Sequence, residues 1–347
     1  MFFDPGTHTA FESLGWVDRA SLWCWNAETS TERRVAVPGV RSVSVRPHGE
    51  GRLRLLHHGE QVAASIRACA NPELELASLR PDRDGWSFGG DSALWGEHLA
   101  LLMTTASGRP ELLLVDGPAE TVRRLDLSWF NDENYDRGYQ GLVDCLALPA
   151  AGVVVVSVQR SSDLVLIDPE RNARIGSIPL AGRGGNPELR LRSGSEFFAS
   201  DYDSLCLVDG KTRLATCSPA LQPAAPPNTA QFIGDYDLGE TTCVVARPFS
   251  GDVLLLEIGS FVELGRAPVP GQPLSVCLTS ERSFLTRDSV SSCRHCRPAG
   301  WSRHGHFAPD RSGQGLNCVA RTRRPRPPTA MPGNRRGPDS HGHRVRH

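Results

Sequence analysis

The sequence predicts an all-β protein built from a repeated unit of four short strands. Runs rich in Val, Ile and Leu alternate with turn compositions over residues 141–180, enough chain for four antiparallel strands. The unit recurs over residues 186–221 and 231–270, and its central apolar run ends each time in an acid. Recurrence at intervals of about 40 to 50 residues is typical of a β-propeller, here with about six blades, seven being also allowed.

The strands can be placed in order along the chain. The best-defined unit has strands at 142–148, 153–158, 163–168 and 173–180, separated by Pro-, Gly-, Ser- and Asn-containing turns. Upstream, two further units are incomplete, with strands at 99–104, 111–116 and 121–127 and at 41–46, 51–57 and 74–79. The segment 60–70 fits a strand but also has apolar residues at a helical spacing.

The two ends of the body suggest how the ring closes. Residues 21–39 are predicted as two outer strands of a blade, and residues 273–288 as two inner strands. Combining them gives one blade shared by both ends, which removes open sheet edges. We therefore predict a propeller domain over residues 1–288 whose last blade is closed by N- and C-terminal strands.

The repeat also resembles a known family. The runs LLLVD, LVLID, LCLVD and LLLE end at residues 116, 168, 209 and 257. Together with SGSEFFASDYDSLCLVDGKT and ARIGSIPLAGRGGNPELRL, they resemble the YVTN-type repeat of bacterial β-propellers, which is related in form to WD40 and quinoprotein-like propellers. The body has no Trp-Asp dipeptide of the strict WD40 type. The resemblance implies a propeller and a binding platform, but no particular reaction.

The C-terminal residues differ sharply in composition from the body. Residues 291–347 contain 12 Arg, no Lys and 2 Asp, which gives them a charge of +10. Because the whole chain has a net charge of −1, residues 1–290 have a charge of −11. We predict that residues 289–347 are a disordered tail rich in Arg, Pro, Gly and His. Because 37 of the 38 basic residues are Arg, the gene is expected to be GC-rich, and we hypothesise that the tail is a frameshifted end.

The tail has residues that suggest either metal binding or contact with nucleic acid. A zinc site is suggested by Cys293, Cys296, His304, His306 and Cys318, but their spacing matches no standard finger and the segment has little apolar support. We therefore predict no bound metal. The stretch RTRRPRPP suggests, as a minor alternative, nonspecific contact with nucleic acid.

Acidic residues next to tyrosines are the candidate binding residues of the body. In a propeller, equivalent loops of successive blades converge around the channel, so these residues are expected to form a rim that binds a cation or a basic partner. The alternative is that the acids only form turns. The candidates are Asp132, Glu133, Tyr135, Asp136, Asp201, Tyr202, Asp203, Asp235, Tyr236 and Asp237.

These observations predict a non-catalytic scaffold that binds a protein or a small-molecule ligand on one propeller face, without a cofactor. The alternative is a quinoprotein- or lactonase-like propeller enzyme with its site at the channel mouth. GWSFG at residues 85–89 matches the G-x-S-x-G pattern of serine hydrolases, with Ser87 as nucleophile, but no alternation of strands and helices supports it.

Location and redox state are predicted from what the sequence lacks. No signal-peptide layout and no apolar run long enough to span a membrane is found, so a cytoplasmic protein without membrane contact is expected. The seven body cysteines are an odd number and several lie in apolar runs, as in LVDCLAL and SLCLVD. We therefore predict buried, unpaired cysteines rather than disulfides.

Overall fold

A computed structural model describes most of the body and two short pieces of the tail. The described residues are 1–14, 20–37, 42–48, 50–58, 63–79, 87–95, 98–104, 110–116, 121–127, 142–158, 161–180, 187–222, 232–269, 271–280, 283–288, 293–297 and 317–319. Within these residues the regular structure is β-strand, apart from one 3-10 turn at Pro149–Ala151. The prediction of an all-β fold is confirmed.

The strands form seven four-stranded antiparallel sheets, each made from consecutive strands. The first three are sheet 1 (β1 Phe2–Asp4, β2 Thr9–Leu14, β3 Ala20–Asn26, β4 Thr31–Val37), sheet 2 (β5 Ser42–Pro47, β6 Arg52–His58, β7 Ala63–Ala68, β8 Glu75–Leu79) and sheet 3 (β9 Ser87–Trp95, β10 His98–Thr104, β11 Pro110–Asp116, β12 Thr121–Asp126).

The next four sheets continue in the same way. They are sheet 4 (β13 Leu142–Leu148, β14 Val153–Val158, β15 Asp163–Asp168, β16 Ala173–Pro179), sheet 5 (β17 Leu189–Ser193, β18 Glu196–Asp201, β19 Ser204–Asp209, β20 Leu214–Cys217), sheet 6 (β21 Tyr236–Leu238, β22 Thr242–Arg247, β23 Asp252–Glu257, β24 Glu263–Pro268) and sheet 7 (β25 Pro273–Ser280, β26 Ser283–Asp288, β27 Cys293–Arg297, β28 Asn317–Val319). Sheets 1, 2, 4, 5 and 6 have described side chains in every strand, and most contacts below come from them.

The sheets are stacked side by side, so each central strand is buried on both faces. In β14, Val154 and Val156 pack in one cluster with side chains of sheet 3, whereas Val153 and Val155 pack in another with side chains of sheet 5. Successive side chains of a strand point to opposite faces. A strand between two neighbours is therefore a continuous apolar run, which explains VVVVSV and its counterparts in the repeat.

The two ends of the chain meet, but not in a shared sheet. The predicted shared blade is wrong, because residues 1–37 form all four strands of sheet 1 and sheet 7 contains only C-terminal strands. The ring closes by packing of one sheet on the other, with Ala10 and Trp23 against Cys277 and Leu285. The count of about six had treated the two ends as one blade.

The tail and the 60–70 segment also depart from the expectations. Two stretches of the predicted disordered tail are β27 and β28, and Cys296 is the register partner of Cys318. The rest of the tail, including His304 and His306, lies outside the described residues. The strand at 60–70, for which a helix was also allowed, is β7.

The repeated acid at the end of each third strand has a structural role. Asp209 accepts hydrogen bonds from the backbone N–H of Lys211 at 2.9 Å and from the hydroxyls of Thr212 and Ser195 at 3.0 Å. The Lys211 N–H, first among these groups, holds the pKa of Asp209 below its ordinary value. The acid therefore caps the turn between the third and fourth strands, which accounts for its recurrence.

One disulfide corrects the expectation that all body cysteines are unpaired. Cys206 in β19 and Cys217 in β20 are register partners and their sulfurs are bonded. The pairing depends on strand register, which spacing in the sequence does not reveal. The other five cysteines of the body are buried, as expected, and lie outside this disulfide, namely Cys24, Cys69, Cys145, Cys243 and Cys277.

Candidate functional site

An arginine of sheet 5 reaches the first strand of sheet 6 and pairs with two acids. Nη2 of Arg190 lies 2.6 Å from Oδ1 of Asp235, and Nη1 lies 3.3 Å from Oδ1 of Asp237. Its guanidinium lies 4.9 Å from the centre of the Tyr236 ring, within cation–π range. The α-ammonium group of Met1 lies 3.2 Å from Oδ2 of Asp235. We call these five residues the charge cluster.

The surroundings set the ionisation of the cluster. Burial raises the pKa of Asp235, but the Met1 ammonium group and Arg190 lower it by more, so the net shift is downward. Burial raises the pKa of Asp237, and its longer contact with Arg190 does not offset this effect. Burial lowers the pKa of Arg190, whereas both carboxylates raise it by more. The cluster therefore holds a charged Arg190 against an ionised Asp235.

Acids of the first strands also bind the backbone of the next sheet. Oδ2 of Asp237 accepts a hydrogen bond from the N–H of Leu278 at 2.8 Å. Oδ2 of Asp144, in sheet 4, accepts one from the N–H of Leu189 in sheet 5, also at 2.8 Å. Because each carboxylate ties the first strands of two successive sheets together, these acids hold the ring independently of any ligand.

Glu188 is a further acid beside the charge cluster. Burial raises its pKa and Asp235 raises it further, while Arg46 and Arg190 lower it; the net shift is upward. The Tyr236 hydroxyl lies 2.9 Å from the carbonyl oxygen of Glu188, so the tyrosine is anchored by the backbone just before β17. Glu188 is thus protonated more easily than an exposed glutamate.

A cavity of about 330 Å³ adjoins the charge cluster, a volume within the usual range of small-molecule sites. Its walls come mainly from the first strands of sheets 1, 2, 4, 5 and 6, with Arg54 from the second strand of sheet 2, so it lies in the central channel. The apolar part of the wall includes Phe2, Val45, Leu146, Leu189, Leu191 and Leu238, and the charged part is Arg46, Arg54, Asp144, Arg190 and Asp237.

The sequence-predicted site residues lie in different places. Asp235, Tyr236 and Asp237 belong to the charge cluster, where the acids face Arg190. Asp201 is fully buried at the end of β18, and Tyr202 and Asp203 form the turn into β19. Asp132, Glu133, Tyr135 and Asp136 lie outside the described residues.

Sequence reasoning missed the basic residues of the channel. Arg190 lies in LRLRS, an alternation that is typical of a solvent-facing strand, and Arg46 lies in the similar SVSVRP. A usable signal was Asp144 in LVDCLAL, an acid inside an otherwise apolar first strand. Such a charge needs a partner from a neighbouring sheet, which indicates the channel wall.

A second surface carries two exposed aromatic side chains. Phe232, just before β21, and Phe249, in the turn after β22, have ring centres 5.2 Å apart in an edge-to-face arrangement. They are 45% and 43% exposed. The Gln222 amide donates to the carbonyl of Phe232 at 3.0 Å, and the Ser250 hydroxyl donates to Oε1 of Gln222 at 2.9 Å. One buried side chain thus ties both aromatic segments together.

The start of sheet 7 adjoins these aromatics. A Cβ at Gly234 would lie 3.0 Å from the carbonyl oxygen of Leu274 and 3.4 Å from Cδ of Pro248, so the three segments approach closely. Leu274 is itself exposed. We call Phe232, Phe249 and Leu274 the aromatic edge. Contiguous exposed apolar groups are a feature of binding surfaces, and aromatic rings supply much of the contact area there.

Other predicted chemistry finds little support in the described part of the chain. Ser87 begins β9 of an antiparallel sheet, not the strand-to-helix turn that a nucleophile elbow requires. Among described residues no group of three or more His, Cys, Asp or Glu could hold a metal ion. No helix of the described residues is long and apolar enough to cross a membrane.

Comparison with solved structures identifies the fold. The β-propeller domain of Myceliophteria thermophila Cps50 (Swd1) is similar over 83% of this chain and 92% of its own, at 12% identity and a TM-score of 0.57. The RRP9 WD40 repeats match over 82% of this chain and 84% of their own, at 14% identity and a TM-score of 0.58. A chain of the Mitotic Checkpoint Complex matches over 85% of this chain and 85% of its own, at 10% identity and a TM-score of 0.60.

At these identities the likeness shows the fold alone. The chain is a β-propeller of four-stranded antiparallel blades, similar to WD40 propeller domains. No protein-family model matches it, and no curated protein sequence does.

Proposed function

We propose that this propeller is a non-catalytic scaffold that binds another protein through its aromatic edge. The observation that carries the proposal is the pair Phe232 and Phe249, exposed yet held in place by Gln222. Aromatic side chains that are already ordered lose little entropy on binding, and they dominate the energy of many interfaces. The Mitotic Checkpoint Complex, one chain of which has a similar structure, is an assembly.

The platform beneath the edge supports this role. Nη2 of Arg247 lies 2.5 Å from Oδ2 of Asp252, both nearly buried, and Arg247 also donates to the carbonyl of Leu221. The ion pair closes the turn that carries Phe249, and the Leu221 contact holds the chain leading toward Phe232. By contrast, the acids of the charge cluster are bound by Arg190 and by backbone amides, so no observation favours a propeller enzyme.

The proposal extends to the type of repeat, the cellular location and the origin of the tail. The four acid-terminated runs are all third strands, as a YVTN-type repeat requires, and the seven sheets would be the blades of one ring. A cytoplasmic location is supported by five buried cysteines of the body that are not in a disulfide, although a disulfide at Cys206 and Cys217 is uncommon there. The frameshift origin of the tail would be tested by reading the other two frames beyond codon 288.

The test compares interactions of the tagged full chain in its own cells. The Phe232→Ser/Phe249→Ser variant should lose one or more proteins that wild type retains in near-stoichiometric amount. The matched control is Leu214→Ser, which changes an exposed leucine in β20, the fourth strand of sheet 5, outside the aromatic edge. This variant should retain the bound proteins. With the partner purified, the double variant should bind at least about 30-fold more weakly, since aromatic hot spots contribute about 2 kcal/mol or more.

Two outcomes would contradict the proposal. The first is an identical set of bound proteins for wild type, the double variant and the control. The second is equal affinity of wild type and the double variant for every purified partner, which would place binding elsewhere on the propeller.

A further inference from the structure

We propose that the partner of the aromatic edge presents a basic side chain, Arg or Lys, next to apolar ones, and that Tyr202 and Asp203 bind this basic side chain. The inference rests on the proposed function, since it names the chemistry of the partner that the aromatic edge would bind. It is carried by the position of the turn that contains Tyr202 and Asp203 and by the charges around that turn.

The turn at Tyr202 and Asp203 is bonded to both ends of the segment that leads from β20 to β21. The N–H of Ile233, the residue after Phe232, donates to the carbonyl of Tyr202 at 2.9 Å. The N–H of Leu221 donates to the carbonyl of Asp203 at 2.7 Å. Both residues of the turn are partly exposed. The turn is therefore fixed beside Phe232 and still open to a partner.

Asp203 is an acid without a cation in the described part of the chain. Among these residues no Arg, Lys or His forms an ion pair with Asp203, and its carboxylate accepts no hydrogen bond. The segment bonded to the turn brings no cation either, because residues 214–234 contain no charged residue. Arg247 and Asp252, which lie beneath Phe249, pair with each other instead. Asp203 thus leaves a negative charge beside the aromatic edge, which favours a basic partner.

Tyr202 adds an aromatic ring to this acid. Asp201 and Ser204 are register partners, so Tyr202 and Asp203 form a two-residue turn between them. The φ angle of Tyr202 is 56°, in the left-handed region where glycine is the ordinary residue and a bulky one is rare. A ring and a carboxylate in one turn suit a guanidinium or ammonium group, which can pair with the acid and lie over the ring.

The aromatic edge determines what surrounds the basic side chain. An exposed ion pair contributes little by itself, so Asp203 alone would not hold a partner. Phe232, Phe249 and Leu274 supply the apolar contact that adds binding energy. A segment with one basic residue among large apolar ones matches both features. The charge of −11 on residues 1–290 would also speed its approach.

Selection from a random peptide library displayed on phage, with the full chain as the immobilised target, tests the inference. Peptides retained by wild type but not by the Phe232→Ser/Phe249→Ser variant should carry Arg or Lys within two positions of Leu, Ile, Phe or Trp. One such peptide is then synthesised, together with a counterpart that has Gln in place of the basic residue, and both are titrated calorimetrically.

A double-mutant cycle places the basic residue at Asp203. Removing the basic residue of the peptide and the change Asp203→Asn should each weaken binding at least about 5-fold, and both together should weaken it little further. Glu50→Gln, at an exposed acid in the turn between β5 and β6, is the matched control and should bind like wild type. Tyr202→Gly suits the left-handed turn, so it should fold and still weaken binding.

The outcomes separate this inference from the proposed function. Peptides that depend on Phe232 and Phe249 but lack a basic residue, or that bind Asp203→Asn as tightly as wild type, would overturn the inference and leave the aromatic edge as a binding surface. A selection without any peptide that depends on these two rings would also overturn it. The comparison of proteins bound in cells would then test the proposed function by itself.

Discussion

Replacing Arg190 by methionine should destabilise the propeller far more than the same change two residues along the strand. Methionine keeps most of the length of the side chain but removes the guanidinium group from Asp235 and Asp237, so that Asp235 keeps only the Met1 ammonium group of the two cations paired with it. Side chains of Arg190 and Asp235 are only 14% and 10% exposed. Removing one partner from a buried ion pair costs about 3–5 kcal/mol, mainly because the remaining charge stays desolvated.

Arg192 provides the matched control. It lies on β17 as well and pairs with Glu196 at 3.2 Å, but both side chains are partly exposed to water. Exposed ion pairs contribute about 0–1 kcal/mol, so Arg192→Met should cost no more than that. Arg190→Lys keeps the charge but loses the two-pronged contact and should fall between wild type and Arg190→Met.

The assay is urea unfolding followed by circular dichroism at pH 7 in low salt. With a denaturant slope of about 3 kcal/mol per molar urea, Arg190→Met should lower the midpoint by about 1 to 1.7 M, and Arg192→Met by about 0.3 M at most. Equal midpoints for the two methionine variants would refute the argument, because they would show that the charge cluster is no more desolvated than a surface pair.

Three further predictions concern other parts of the ring. Because burial and then Asp235 raise the pKa of Glu188, Glu188→Gln should raise the urea midpoint at pH 7. The difference should close as pH falls below the ordinary glutamate pKa of about 4.3, where the wild-type group becomes protonated in both states. Asp209→Ala should cost about 1 to 2 kcal/mol by removing a turn cap, and the same change at the exposed Asp163 about 0.5 kcal/mol at most, compared by thermal unfolding. Cys206→Ala/Cys217→Ala should lower the free energy of unfolding by about 3 kcal/mol. Dithiothreitol should destabilise the wild-type protein but not this variant, and a wild-type protein that keeps its stability in dithiothreitol would contradict the disulfide.

The sequence predicts the strands best where all four strands of a sheet come from one clear repeat unit, as in sheet 4. The three strands β13, β14 and β15 have the predicted bounds, because each is an apolar run between turn residues and needs no partner to be recognised. β1 and β2 were not predicted, since FFD has only three residues and TAFESL has no continuous apolar run. The closure of the ring likewise depends on contacts between residues more than 260 positions apart, such as Ser275 with Glu12.

The candidate site was predictable only in its acidic half. Tyr-Asp dipeptides drew attention to Asp235 and Asp237, but Arg190 is separated from them by about one repeat and looks like a surface residue in its own strand. Which charges meet across a channel is decided by the angular position of each sheet in the ring. That geometry is a property of the closed fold, so the sequence around Arg190 does not show which acids it meets.

The pairing of these charges changes where binding is to be sought. An acid predicted as a ligand for a cation is of little use to that cation if a guanidinium already lies 2.6 Å away, as it does at Asp235. A cation would have to displace Arg190 and bear the cost of leaving it buried and unpaired. Binding energy is more readily available where the fold leaves favourable contacts unused, and the exposed rings of Phe232 and Phe249 are such a place. Asp235 and Asp237, two acids of the predicted rim, are therefore part of the structure that holds neighbouring sheets together.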